Sequence, residues 1–312
     1  MNTLSPLMFS LKNALYFSAG LGVLANMFLL CFYIFLVLGH RPKPSDLISC
    51  QLTFIHIMMF LTGGDIWLTD LFASVNIENN FKCKATFYTS RVMRGLSICT
   101  TCLLSVVQAV TISPSTSLLA KFKQKLKKYM MYAFLCIWSF NIFLSSNWIL
   151  YVGAYTNVSV TSKMKVSKPC SLLPMNYMIR GVISTVATFR DMFLLGVMLT
   201  ASTYIVIILL RHQRQCKHLH SNSQLRASPE KRATLTILLL VVLFVVMYWV
   251  DLIISTTSFL LWRYDPVVLT IQKFVMSAYP TITPLVQISF DNRIIIMLKN
   301  LQSKCHFSFN IL

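Results

Sequence analysis

From Gly95 to Ala120 the chain carries no charged residue. This uncharged run belongs to a longer stretch, Cys83 to Pro114, that decides what kind of protein the chain can be. A helix rises about 1.5 Å per residue, so these residues would measure about 48 Å. The hydrocarbon core of a bilayer is about 30 Å thick, which makes the stretch a long, tilted spanning helix. Cys83 marks one end, with Arg91 and Arg94 three residues apart on one face just inside it. The basic segment AKFKQKLKKY follows at the other end. The chain is 56% hydrophobic and 12% charged, with mean hydropathy +0.66. A soluble domain is about 45–50% apolar and about 25% charged. The reading is a polytopic membrane protein.

The same reasoning gives one domain over residues 1–312 with seven spans. They cover 13–39, 47–64, 83–113, 129–152, 183–210, 233–261 and 267–290, with a polar tail over 291–312. The prolines of HRPKPSD (His40 to Asp46) stop the first helix. Trp148 and Tyr151 sit where interface anchors belong. Pro280 and Pro284 interrupt the last span. No charged n-region with a cleavage site precedes the first apolar block, so no removed signal peptide is expected. No internal repeat is visible. The expected architecture is all-α: a seven-transmembrane helix bundle.

Charge chooses the orientation. The segments after spans one, three, five and seven hold 16 of the 28 basic residues and three acids, Asp46, Glu230 and Asp291. They account for +13 of the net +19. By the positive-inside rule they face the cytoplasm, the N-terminus is extracellular and the C-terminus cytoplasmic. Anionic lipid or an anionic signalling partner suffices to explain the basic surplus, with no nucleic acid involved. The N-x-[ST] sequon Asn157-Val158-Ser159 falls in a loop placed outside, where glycosylation occurs. Of the nine cysteines, Cys83 and Cys170 are the two placed outside or at the outer edge. That compartment permits disulfides, so a bridge between them is expected, the alternative being two free thiols.

Seven helices with the N-terminus outside and such a bridge resemble a G-protein-coupled receptor, and more closely the vomeronasal type-1 receptor family. The resemblance runs over nearly the whole chain. It is carried by LTFIHIMMFLTGG (Leu52 to Gly64), RGLSICTTCLLSVVQAVTISP (Arg94 to Pro114), HLHS (His218 to Ser221), SPEKRATLTILLLVVLFVVMYWVD (Ser228 to Asp251) and YPTITPLVQIS (Tyr279 to Ser289). Rhodopsin-like marks are missing in the same way. Val106-Val107-Gln108-Ala109 stands where D-R-Y would be, the sixth span has no proline, and Thr283-Pro284-Leu285-Val286-Gln287 replaces N-P-x-x-Y. Asn26 does match the wider superfamily. The resemblance implies a pheromone receptor of the plasma membrane in vomeronasal sensory neurons, coupled to an inhibitory-class G protein. It implies neither catalysis nor a cofactor.

Other classes stay in view. Type-2 (bitter) taste receptors share the loss of D-R-Y but generally lack a cysteine like Cys83. An opsin needs a lysine midway along span seven, and Lys273 lies too far outward. A transporter would show repeats, midplane acids or broken helices. The His218–His220 pair is the sole candidate for a metal or catalytic cluster, and its spacing is weak.

A small ligand belongs in the outer half of the bundle, in an apolar cavity with a few polar anchors. Arg91, Arg94, Asp251 and Lys273 are the ionisable residues placed at that depth, where an isolated charge is costly. They form a cationic pocket for an amphipathic anionic ligand, or Arg91 and Arg94 pair with Asp251 and tie helices together. Arg190-Asp191 reads as structural. At the cytoplasmic end Gln108, His218, His220, Glu230, Lys231 and Arg232 border the surface expected to meet the G protein. Cys305 is a candidate for lipidation.

Overall fold

The computed structural model describes residues 4–39, 43–63, 79–113, 120–154, 164–165, 170–172, 175–219, 229–261, 266–291 and 293–297, with some side chains in these ranges, including 153–174 and 212–237, outside the description. Long helices dominate. They are α1 (Leu4–Gly39), α2 (Pro44–Gly63), α3 (Asn79–Ile112), α4 (Ala120–Ser145), the single turn α5 (Trp148–Tyr151), α6 (Tyr177–Leu219), α7 (Pro229–Leu261) and α8 (Pro266–Phe290). Three short strands, β1 (Val152–Ala154), β2 (Met164–Lys165) and β3 (Cys170–Leu172), lie between α5 and α6. They form an antiparallel sheet in the order β1-β3-β2. This sheet occupies what sequence alone presents as a polar loop. Strands of two or three residues carry too little alternation to be read.

Among the described residues, six helices are long and apolar enough to cross a membrane: Phe9–Gly39, Pro44–Thr62, Phe81–Ile112, Lys128–Tyr151, Tyr177–Arg211 and Val241–Ser258. Their outward faces carry large apolar side chains, such as Phe17 (78% exposed), Phe143 (79%) and Phe189 (74%). Such a continuous apolar surface is foreign to a soluble monomer and matches lipid. Helices run past the hydrocarbon: α6, at 43 residues, is about 65 Å long.

α3 is the central element. Within its apolar window 72% of residues are buried, against 17% in α4 and 22% in α6. It packs on α2, α4 and α6 and meets β1. One buried cluster joins Ile98, Cys99 and Cys102 of α3 to Leu195 and Met198 of α6, Phe244 and Tyr248 of α7, and Tyr279 of α8.

The two prolines of α8 create a specific need. Pro284 has no N–H, so the carbonyl of Pro280 lacks its helical donor. Asn26 of α1 supplies one: its Nδ2 donates to Pro280 O at 2.8 Å and to Gly22 O at 2.7 Å. A Cβ on Gly22 would overlap the Phe60 ring and Thr281 Oγ1, so glycine lets α1, α2 and α8 converge there. At the end of the bundle remote from Cys83, Arg293 donates to Asp46 Oδ1 at 2.9 Å and to Asp291 Oδ2 at 3.1 Å. Burial works against that charge, yet the hydrogen bonds to Asp46 and Asp291 outweigh it and hold the guanidinium above its ordinary pKa.

Candidate functional site

A cavity of about 270 Å³ opens near the Cys83 end of the bundle, between α3, the α4–α5 junction, α6 and α7. Arg91 and Arg94 come from α3, Ser145, Asn147 and Trp148 from the junction, Arg190 and Asp191 from α6, and Leu252 and Ser255 from α7. Polar and charged side chains outnumber apolar ones in its lining, a more polar make-up than the usual small-molecule site.

The charges here are organised in pairs. Arg94 forms an ion pair with Asp251 through Nη2 and Oδ2, with side chains 11% and 5% exposed. Arg94 Nη1 also donates to Ser255 Oγ at 3.4 Å. Gln272 of α8 donates to Asp251 Oδ1 at 3.3 Å, which extends the link to a third helix. A second pair lies on α6, where Arg190 Nε donates to Asp191 Oδ1 at 2.7 Å. Tyr248 of α7 donates its hydroxyl to Asp191 Oδ2 at 2.7 Å. The Arg94 guanidinium sits 5.6 Å from the Tyr248 ring centroid, so the two pairs meet at one aromatic ring. Removing one member of such a buried pair typically costs about 3–5 kcal/mol, because the other charge is left stranded.

Asn141 of α4 joins the network from the far side. Its Oδ1 accepts from Arg190 Nη1 at 3.4 Å, and its Nδ2 donates to Ile137 O at 2.8 Å. Gly95 makes room for this contact. A Cβ there would overlap Asn141 Oδ1 and lie 3.1 Å from Arg190 Nη1. Arg91 takes a different position, with its guanidinium 4.5 Å from the Trp148 ring centroid and 5.2 Å from that of Phe87. A smaller cavity of about 30 Å³ lies on the other side of Arg94, lined by Ser97, Tyr248, Asp251 and Tyr279 among others. Arg94 thus lines both cavities.

The structure therefore brings Arg91, Arg94 and Asp251 together and gives Arg94 an acidic partner. Lys273, half-buried on α8, lines neither cavity. Arg190 and Asp191, which sequence alone presents as structural, line the same cavity as Arg91 and Arg94. Asn141, Asn147 and Tyr248 were not singled out as site residues. For Asn141 the available signal was a polar residue inside an otherwise apolar span.

Cys83 is 2% exposed and disulfide-bonded. β3 begins at Cys170, and β1, to which it pairs, packs against α3. Gln108 is half-buried near the opposite end of α3, and its Oε1 has no hydrogen-bond partner. Asn157, His220 and Cys305 lie outside the described residues, as do the side chains of Cys170, His218, Glu230, Lys231 and Arg232. Among the described residues no group of three or more His, Cys, Asp or Glu side chains could hold a metal.

Helices with lipid-facing flanks and a charged, cavity-bearing centre define a multi-pass helical membrane protein. The profile of the vomeronasal organ pheromone receptor family matches residues 9–300. Rat vomeronasal type-1 receptor 90 is 40% identical, over 93% of this chain and 94% of that protein. Rat vomeronasal type-1 receptor 100 is 38% identical, over 94% and 90%. Mouse vomeronasal type-1 receptor 48 is 37% identical, over 93% and 96%. The chain belongs to the vomeronasal type-1 receptor family, whose members are chemosensory G-protein-coupled receptors and not enzymes.

Proposed function

We propose that the chain is a seven-helix receptor of the plasma membrane that detects a small pheromone-like ligand and signals through an inhibitory-class G protein in vomeronasal sensory neurons. The observation that carries this reading is the cavity of about 270 Å³ lined by Arg94, whose ion pair with Asp251 links α3 to α7. In this reading α8 is the seventh span, the Cys83 end faces outward, Cys83 bridges to Cys170, and Asn157 is glycosylated. The basic segments around His218, His220, Glu230, Lys231 and Arg232, together with Gln108, face the G protein. Lys273 has no assigned part in ligand contact.

The mechanism is a population shift. Arg94 reaches both the cavity and Asp251, so a ligand with an anionic or strongly accepting group competes with Asp251 for the guanidinium. Guanidinium forks suit such groups through paired, charge-assisted hydrogen bonds. Weakening the α3–α7 tie changes the relative stability of the two packings of α7, and one of them exposes the cytoplasmic site. A ligand shifts this balance only by its difference in affinity for the two states. Measuring guanine-nucleotide exchange and solute uptake in the same ligand-treated membranes tests the reading. Exchange without uptake is the expected result, and uptake without exchange assigns a transporter.

A further inference from the structure

The larger cavity has a polar interior and an apolar rim. Inside, among the described lining residues, the guanidiniums of Arg91, Arg94 and Arg190 outnumber the one carboxylate, Asp191. Ser184, Thr188, Ser255 and Thr256 add hydroxyls. Guanidiniums only donate and hydroxyls can, so this interior suits a negatively charged acceptor. Arg190 donates to Asp191, Asp191 accepts from the Tyr248 hydroxyl, and the Arg94 guanidinium lies over the Tyr248 ring. That chain of contacts holds Arg94 and Arg190 near one another.

The rim belongs to α4 and α6. Val182 and Val186 line the cavity, yet they are 64% and 46% exposed. Leu144 lines it from α4. Among the described residues α4 and α6 each pack on α3 and not extensively on one another, so no helix–helix seam closes this flank. Met178, Val182, Val186 and Phe189 recur at helical spacing as one exposed apolar stripe. Val186 lies about 13 Å along the axis from Tyr177, where α6 begins, which puts the stripe at the depth of lipid tails. Arg190 follows Val186 by four residues, one turn further along the same side. The apolar stripe and the charged interior therefore adjoin. Size separates their roles. Small-molecule sites enclose about 300–1,000 Å³, and this cavity encloses about 270 Å³. It takes a charged head and leaves a longer apolar part to the rim.

We propose that the ligand is a single-chain amphipathic anion. Its head sits on Arg94 and Arg190, and its alkyl chain leaves between Leu144 and Val182–Val186 to lie along α6 among the lipid tails. The inference rests on reading the cavity as the ligand site, and it adds the ligand's class and pose. The chain stays in hydrocarbon before and after binding, so it contributes little to selectivity. Drawing a charge below the membrane surface is costly without partners, so the selective contacts are those of the guanidiniums with the head.

The test uses the full-length receptor in phosphatidylcholine nanodiscs, in alkaline buffer that keeps a carboxylate ionised. Two forms of photoreactive dodecanoate carry the diazirine beside the carboxylate or at the far end of the chain, and the methyl ester of each is the uncharged control. Peptide mapping after illumination takes labelling at Phe17 and Leu24, on the exposed face of α1, as background. The head-end acid should label Ser184 and Trp148, and the tail-end acid should label the Met178–Phe189 stripe, each above background. The esters should label all these positions at background. Arg94→Ala combined with Asp251→Ala, which strands no charge at this pair, should lower both acid signals more than about tenfold, as when one side of a charge pair is lost. Val186→Trp fills the rim and should bring the tail-end signal down to background, and Val182→Trp is a second block if Val186→Trp does not express. A monodisperse gel-filtration peak shows that each variant is folded. Tail-end labelling at background, ester labelling equal to that of the acid, or acid signals that survive the substitutions overturn the proposal. Head-end labelling of Ser184 and Trp148 without tail-end labelling of the stripe overturns it while keeping the cavity as an anion site. If neither acid labels these residues, the ligand-site reading fails as well.

Discussion

Gly95 shows how closely the charges at the centre of this receptor are fitted. Without a Cβ, α3 lets Asn141 and Arg190 meet across its surface. Gly95→Ala should push them apart, and overpacking of this kind costs about 1–3 kcal/mol. The expected outcome is a lower denaturation midpoint in thermal unfolding of the purified receptor, and an unchanged midpoint would mean that the contact is not needed. Sequence made Arg91, Arg94 and Asp251 visible because a charge inside an apolar span stands out. It could not decide between ligand contact and mutual pairing, since that depends on which faces of α3 and α7 meet. The structure pairs Arg94 with Asp251 and leaves the guanidinium lining the cavity. Asn147 was beyond reach from sequence. A polar residue at a helix end is ordinary until its acceptor is found buried without a donor.

At the scale of whole helices, the link between α1 and α8 follows from the chemistry of proline. Pro284 removes a donor, and Asn26 returns one from a neighbouring helix. Asn26→Leu keeps the size and removes the donor, which leaves Pro280 O buried and unpaired. The cost should be about 1–3 kcal/mol, read as lower surface expression and faster thermal inactivation, whereas expression equal to wild type would contradict it. Helix class and membrane character were legible because uncharged runs as long as Gly95–Ala120 admit little else. Helix ends were less so. α1 begins at Leu4, well before the apolar block, because a helix can continue past the hydrocarbon where composition no longer marks it. The small sheet of β1, β2 and β3 was not legible, since its register depends on pairing between residues such as Ala154 and Cys170 that are distant in sequence.

For the whole molecule, the charge distribution predicts one orientation. Peptide-N-glycosidase should shift the mobility of receptor made in mammalian cells, and Asn157→Gln should abolish the shift. A shift that persists in Asn157→Gln would place the glycan elsewhere. Cys83→Ser should lower surface expression, because native disulfides typically contribute about 2–4 kcal/mol. Cys170→Ser should match it if the two are partners, and normal expression of Cys170→Ser beside a failing Cys83→Ser would assign the bridge to another cysteine. These tests fix which end of the bundle faces outward, and so whether a signal that starts at Arg94 and Asp251 travels toward the cytoplasm.

The central claim is that a ligand held at Arg94 controls coupling at the far end of the bundle. Its most direct test is guanine-nucleotide exchange on an inhibitory-class G protein, driven by an anionic amphipathic agonist, in membranes carrying matched surface amounts of wild type and Arg94→Ala. The account predicts agonist-dependent exchange in the wild type and a half-maximal concentration raised more than about tenfold in Arg94→Ala, as expected when one partner of a buried charge pair is lost. Equal potency in the two receptors would contradict it.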